Sequence, residues 1–130
     1  MASKHILKKN RRQAAVKVTG TGTATINIYE LAYADQTVVA ANVVLTITDV
    51  AFMTTAAGNV KRDGNVIIVM PSGSADQFSF AQDYGIVMDE KSGANVDIDL
   101  GATEGVVILQ FSKVAGYDDP NRQNQGPGSL

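Results

Sequence analysis

The chain has 130 residues, no cysteine, 45% apolar side chains, only 6% aromatic ones and a net charge of −2. That length suits one domain, and the missing cysteines exclude a disulfide framework, a thiolate metal site and a cysteine nucleophile. The small net charge hides a segregation. Six of the eleven basic residues (Lys4, Lys8, Lys9, Arg11, Arg12 and Lys17) fall in the first 17 positions with no acid among them, leaving five basic against thirteen acidic side chains, a balance of −8.

Residues 1–12 therefore read as a basic N-terminal arm, KHILKKNRR at its centre, which calls for an acidic surface or nucleic acid as its counterpart. No apolar segment follows these charges, so no secretory leader is expected. The longest apolar runs, Val66 to Met70 and Val106 to Leu109, fall far short of the ~20 residues a spanning helix needs, and no membrane partner is expected.

From Gln13 the pattern becomes one of strands. Ala14, Val16 and Val18 alternate with Gln13, Lys17 and Thr19, as a half-buried strand requires. Gly20-Thr21-Gly22 interrupts, and Thr23 to Leu31 resumes the alternation, so the two segments could pair as a hairpin. Ala32 to Ala41 reads as connection. Asn42 to Phe52 is apolar on both faces, which suits the inside of a sandwich.

Asp63-Gly64, between Val60-Lys61-Arg62 and Asn65 to Met70, is the strongest local signal. A two-residue type I′ turn needs positive φ at both positions, and its twist matches antiparallel strands. Pro71 to Ser74 ends that hairpin. Gln77 to Ala81 is a short strand bearing Phe78 and Phe80, an irregular link leads to Ile86 to Met88, Asn95 to Leu100 alternates cleanly, and Val106 to Val114 is apolar enough to be central. The fold expected is all-β: an antiparallel β-sandwich of about eight strands, jelly-roll-like, spanning residues 13–116. Residues 117–130, rich in Pro, Gly and polar side chains, read as an extended C-terminal tail.

Little in this pattern points to catalysis. The one histidine, His5, precedes every packed element, so a Ser-His-Asp triad lacks its base. Asp97, Asp99 and Glu104 form D-x-D-x-G-x-x-E, a set of oxygen ligands that a Ca²⁺ ion could use, but acids alternating on an outward strand face more commonly serve solvation. Neither Gly20-Thr21-Gly22 nor Gly126-Pro127-Gly128 opens a phosphate-binding helix. The expectation is a chain that is not an enzyme and takes no cofactor or metal.

Ile6-Leu7-Lys8-Lys9 entering Val16-Lys17-Val18, a central Gly58 to Ile67 hairpin, and Gly105 to Tyr117 closing into a Pro/Gln tail together resemble small virion structural proteins of tailed bacteriophages, especially those of marine cyanobacteria. The resemblance implies a β-domain on the particle, a capsid decoration or cement protein. A neck or tail component is the alternative within the virion. The partners implied are the major capsid protein or other virion proteins, and further copies in a homo-oligomer. Candidate partner-binding residues are Ile6, Leu7, Lys8, Lys9, Arg11 and Arg12 of the arm and Tyr117, Pro120 and Arg122 of the tail. Nucleic acid is the weaker partner, because an acidic body repels it and no aromatic residues interleave with the basic ones. A receptor- or glycan-binding β-module, marked by exposed aromatics around Tyr84 or Tyr117, is the remaining class.

Overall fold

A computed structural model describes residues 2–79 and 94–118. They form eleven strands: β1 (Ser3–Lys9), β2 (Gln13–Gly20), β3 (Thr23–Ile26), β4 (Thr37–Val38), β5 (Val44–Thr54), β6 (Gly58–Arg62), β7 (Asn65–Met70), β8 (Ser74–Ser79), β9 (Val96–Asp99), β10 (Gly105–Ala115) and β11 (Tyr117–Asp118). A five-stranded sheet in the order β1-β2-β10-β5-β8 and a four-stranded sheet in the order β3-β9-β6-β7 carry the fold, with β4 and β11 as a separate two-stranded ribbon. Every pairing is antiparallel.

Eight of these strands are paired as nested shells. β6 pairs with β7, β5 with β8, β3 with β9 and β2 with β10. First therefore meets last around a common centre, and alternate shells fall in opposite sheets. This is the rolled ribbon of a jelly-roll sandwich. Its centre is the turn at Asp63-Gly64, where φ is 54° and 78° and Arg62 stands opposite Asn65. A left-handed pair of residues in a two-residue loop is the geometry expected from the sequence there.

The inner faces supply one core. Ala14, Val16 and Val18 of β2, Val107, Leu109 and Phe111 of β10, and Leu45, Ile47, Val50 and Phe52 of β5 are buried against Val60 of β6, Ile68 and Met70 of β7, and Val96, Ile98 and Leu100. Along β5 the inward parity changes between Ile47 and Val50, because the register against β10 shifts there. Such a bulge lets one long strand keep apolar side chains inward at both ends.

Two local readings are corrected. Gln13 to Thr19 and Thr23 to Leu31 are not a hairpin: β2 and β3 lie in different sheets. Gly20 and Gly22 take positive φ, and Gly22 exchanges backbone hydrogen bonds with Leu100 and Gly101, so the chain crosses the edge of the sandwich instead of turning back. The second strand also stops at Ile26. Asn27 accepts from the Tyr29 amide while the Glu30 carboxylate accepts from the Asn27 amide, a capping box that starts a 3₁₀ turn over Ile28–Leu31. Local side-chain bonds here outcompete the ladder.

The basic segment lies along the domain: β1 pairs with β2 from Ser3 opposite Thr19 to Lys9 opposite Ala14. Pairing satisfies backbone groups that β2 would otherwise present as a bare edge. At the other end, Tyr117 and Asp118 form β11 against β4. The expected strand features at Phe80 and Ile86 to Met88, and the tail beyond Asp118, lie outside the described residues.

Candidate functional site

β1 is an edge strand, and all seven of its residues are exposed. Residues directly opposite in an antiparallel pair share a face, so Lys4 and Ile6, across from the buried Val18 and Val16, point to the inner side, and His5 and Lys8 point outward with Lys17 and Ala15. The register slips between Ile6 and Lys8, leaving Leu7 as the extra residue of a bulge. Ile6 and Leu7 are 42% and 53% exposed. A bulge and inward lysines are devices that keep an edge from adding another strand.

Lys4 closes the open side of the sandwich. Its Nζ donates to both carboxylate oxygens of Glu30 at 2.8 Å and to the Thr25 carbonyl at 2.8 Å. Burial alone would raise the Glu30 carboxyl, but the Lys4 hydrogen bond, the Asn27 amide and the Lys4 charge outweigh it and hold it below the usual 4.5. Lys9 Nζ reaches the Glu30 carbonyl at 3.5 Å.

The turn after β1 is a separate feature. Asn10 Oδ1 accepts from the amides of Arg12 (2.9 Å) and Gln13 (2.7 Å), and the Asn10 amide donates to the Gln13 carbonyl at 2.9 Å. The remaining carbonyls of the turn are claimed from behind. Lys113 Nζ donates to Asn10 O at 2.7 Å, Gln36 Nε2 to Arg11 O at 2.8 Å, and the Lys113 amide to Arg12 O at 2.8 Å. Lys113 also donates to Gln36 Oε1 at 3.1 Å and lies 5.1 Å from the centre of the Tyr117 ring.

With its backbone tied inward, the turn presents side chains. Arg11 pairs with Asp35 at 3.0 Å and sits over the Tyr33 ring at 5.3 Å. A cleft of about 600 Å³ is lined by Asn10, Arg11, Arg12, Gln13 and Tyr33. A second, of about 450 Å³, is lined by Arg11, Arg12, Ser112, Lys113, Val114, Ala115 and Tyr117. Both share the two arginines.

The candidate residues thus divide. Ile6, Leu7, Lys8 and Lys9 are exposed on β1, while Arg11 and Arg12 belong to the turn. Tyr117 is a correction: read as a tail residue that touches a partner, it is buried, and its hydroxyl donates to the Ile28 carbonyl at 2.7 Å. Gly116, with φ of 89°, bends β10 into β11 and aims that ring into the core, where burial pushes the phenol up to about 12 against the lowering effect of Arg62. Pro120, Arg122 and Tyr84 lie outside the described residues.

Two of the three acids singled out for a cation are engaged elsewhere. Asp97 accepts from the Thr25 hydroxyl at 2.6 Å, and Asp99 accepts from the Gly101 amide at 2.9 Å. Among the described residues no three His, Cys, Asp or Glu side chains gather in a way that could hold a metal ion.

Lys113 and Arg62 are the residues that sequence reading missed. Each continues an inward row, Lys113 after Val107, Leu109 and Phe111, and Arg62 after Val60, so alternation alone marks them as cations at core-facing positions. Arg62 spends its guanidinium on the Leu45 carbonyl and on the Ala94 carbonyl at 3.2 Å.

No family model matches the chain, and no curated protein does. Solved structures do. KdgF from a Halomonas species is 13% identical over 88% of this chain and 80% of its own, with a TM-score of 0.40. A cupin superfamily protein from Desulfitobacterium hafniense DCB-2 is 8% identical over 88% of this chain and 79% of its own, with a TM-score of 0.38. A protein from Ralstonia eutropha JMP134, named as a proposed mannose-6-phosphate isomerase, is 10% identical over 88% and 86%, with a TM-score of 0.38. That last protein is itself named for an activity, so the expectation that the chain is not an enzyme is withdrawn. At such TM-scores and identities no reaction or substrate passes to this chain.

Proposed function

We propose that this chain is a virion structural protein of a tailed bacteriophage, a capsid decoration or cement protein that docks on the major capsid protein or another virion protein through β1. The observation that carries the reading is a strand of seven exposed residues that combines Lys8 and Lys9 with the exposed Ile6 and Leu7. Exposed ion pairs contribute up to ~1 kcal/mol each. Ile6 and Leu7 are already about half covered, so burying the remainder would contribute roughly 1 kcal/mol apiece, comparable to the ion pairs, while the lysines select an acidic partner. Repetition over a symmetric shell multiplies a weak contact. The bulge at Leu7 and the lysine at position 4 make the contact one of side chains on a surface, not addition of a strand to the sheet.

The test begins with purified particles of the source phage, in which the chain is present in many copies on the head. Absence from particles removes the reading, and presence only in neck or tail moves the docking site there. The Ile6→Asp, Leu7→Asp double variant keeps the fold, as circular dichroism reads it, and fails to bind particles. Undiminished binding would show that β1 is not the docking strand. Point variants are preferable to removing the segment, since truncation would also strip β2 of its partner.

A further inference from the structure

The basic turn has a geometry that docking through β1 does not use. Its four carbonyls are satisfied by Lys113, Gln36 and the turn's own amide, so the backbone is held before any ligand arrives. Arg12 is exposed, and among the described residues its guanidinium has no partner. On either side of it lie the two clefts, one walled by Tyr33 and the other by Val114, Ser112 and Tyr117. Both are open depressions, of about 600 and 450 Å³, in which a bound molecule would keep much of its surface in water. Arg12 and Arg11, the latter paired to Asp35, line both clefts, and Lys113 lines the second.

We infer that the Asn10–Gln13 turn is a binding site for a phosphate group carried by a small organic molecule, with Arg12 as its principal ligand. A guanidinium presents a planar fork of donors that matches two oxygens of a phosphate, and a fixed backbone lowers the ordering cost of using it. Arg11 stacked over Tyr33 adds charge from one side, and the Lys113 ammonium adds charge from beneath. The exposed Tyr33 on one side, or Val114 on the other, receives the organic part. A phosphate dianion gains more from this excess of positive charge than a monoanionic carboxylate does.

Isothermal titration of the full chain with phenyl phosphate, inorganic phosphate and acetate at low salt tests the inference. Phenyl phosphate binds most tightly, inorganic phosphate next and acetate least. Arg12→Ala weakens phenyl phosphate by at least about tenfold, the loss of a bidentate charged pair. Circular dichroism and the denaturation midpoint of Arg12→Ala stay at the parent values, which separates loss of a ligand from loss of the fold. Absence of phosphate binding, equal affinity for acetate, or full affinity in Arg12→Ala overturns it. The Ile6→Asp, Leu7→Asp variant retains phenyl phosphate binding, so failure of this site and failure of β1 docking are read independently.

Discussion

The ammonium of Lys113 donates to the carbonyl oxygen of Asn10 at 2.7 Å across 103 positions of sequence. Through it, the last long strand of the sandwich fixes the turn that comes after the first. Lys113→Met keeps the aliphatic stem but leaves Asn10 O and Gln36 Oε1 without that donor. A lost bond to a charged donor predicts destabilisation of about 2 kcal/mol, read as a lower urea midpoint at unchanged m-value.

Tyr117 predicts an alkaline limit. Its phenol is raised from 10 to about 12 in the folded chain, so the unfolded state ionises first. The stability it contributes is whole below pH 10 and is lost as pH rises from there through about 12. Tyr117→Phe lacks this component of the slope and loses about 1 kcal/mol at neutral pH, for the missing bond to the Ile28 carbonyl. Denaturation midpoints of the two proteins therefore converge as pH climbs through that window.

Glu30 predicts the opposite limit. Its carboxyl is held below 4.5 in the fold, so the contribution is present above that value and is lost as pH falls through the lower folded one. Glu30→Gln shows a smaller acid-side decline than the parent, and the difference shrinks with added salt because the Lys4 pair is partly solvent-exposed. A parent and variant with parallel acid titrations would remove Lys4 as the latch on the sandwich edge.

Two glycines with similar φ separate strain from crowding. Gly64, φ 78°, has open space where a Cβ would go, so Gly64→Ala carries only the left-handed penalty of about 1–2 kcal/mol. At Gly116, φ 89°, a Cβ would lie 2.4 Å from Val43 Cα, and backbone must move. Gly116→Ala is expected to cost more than about 4 kcal/mol, which a chain of this size registers as loss of the cooperative transition. Equal midpoints for the two variants would contradict this account of β11.

Much of the fold was legible because strands of a sandwich write their inward faces at every second residue. Ala14-Val16-Val18 and Val96-Ile98-Leu100 could be placed without coordinates, and Asp63-Gly64 named its own turn. The reading faltered where non-local pairing decides. Glycines 20 and 22 signal a break, yet only the bonds from Gly22 to Leu100 and Gly101 determine that the chain changes sheets. Tyr117 looked like the start of a polar tail, since residues 118–130 are rich in Pro, Gly and polar side chains, and its burial depends on β4 and Ile28 being brought beside it.

The candidate sites show the same division. The basic composition of residues 4–12, the inward parity of Lys113 and Arg62, and the central turn are properties of the chain itself, set by side-chain chemistry and the period of a strand. That β1 lies against β2 with Ile6 and Leu7 uncovered, while Arg11 and Arg12 leave that strand for a turn pinned by Lys113, belongs to the tertiary structure alone. Alternation tells each strand which face to bury but not which strand to join, and the joining decides where the charges stand.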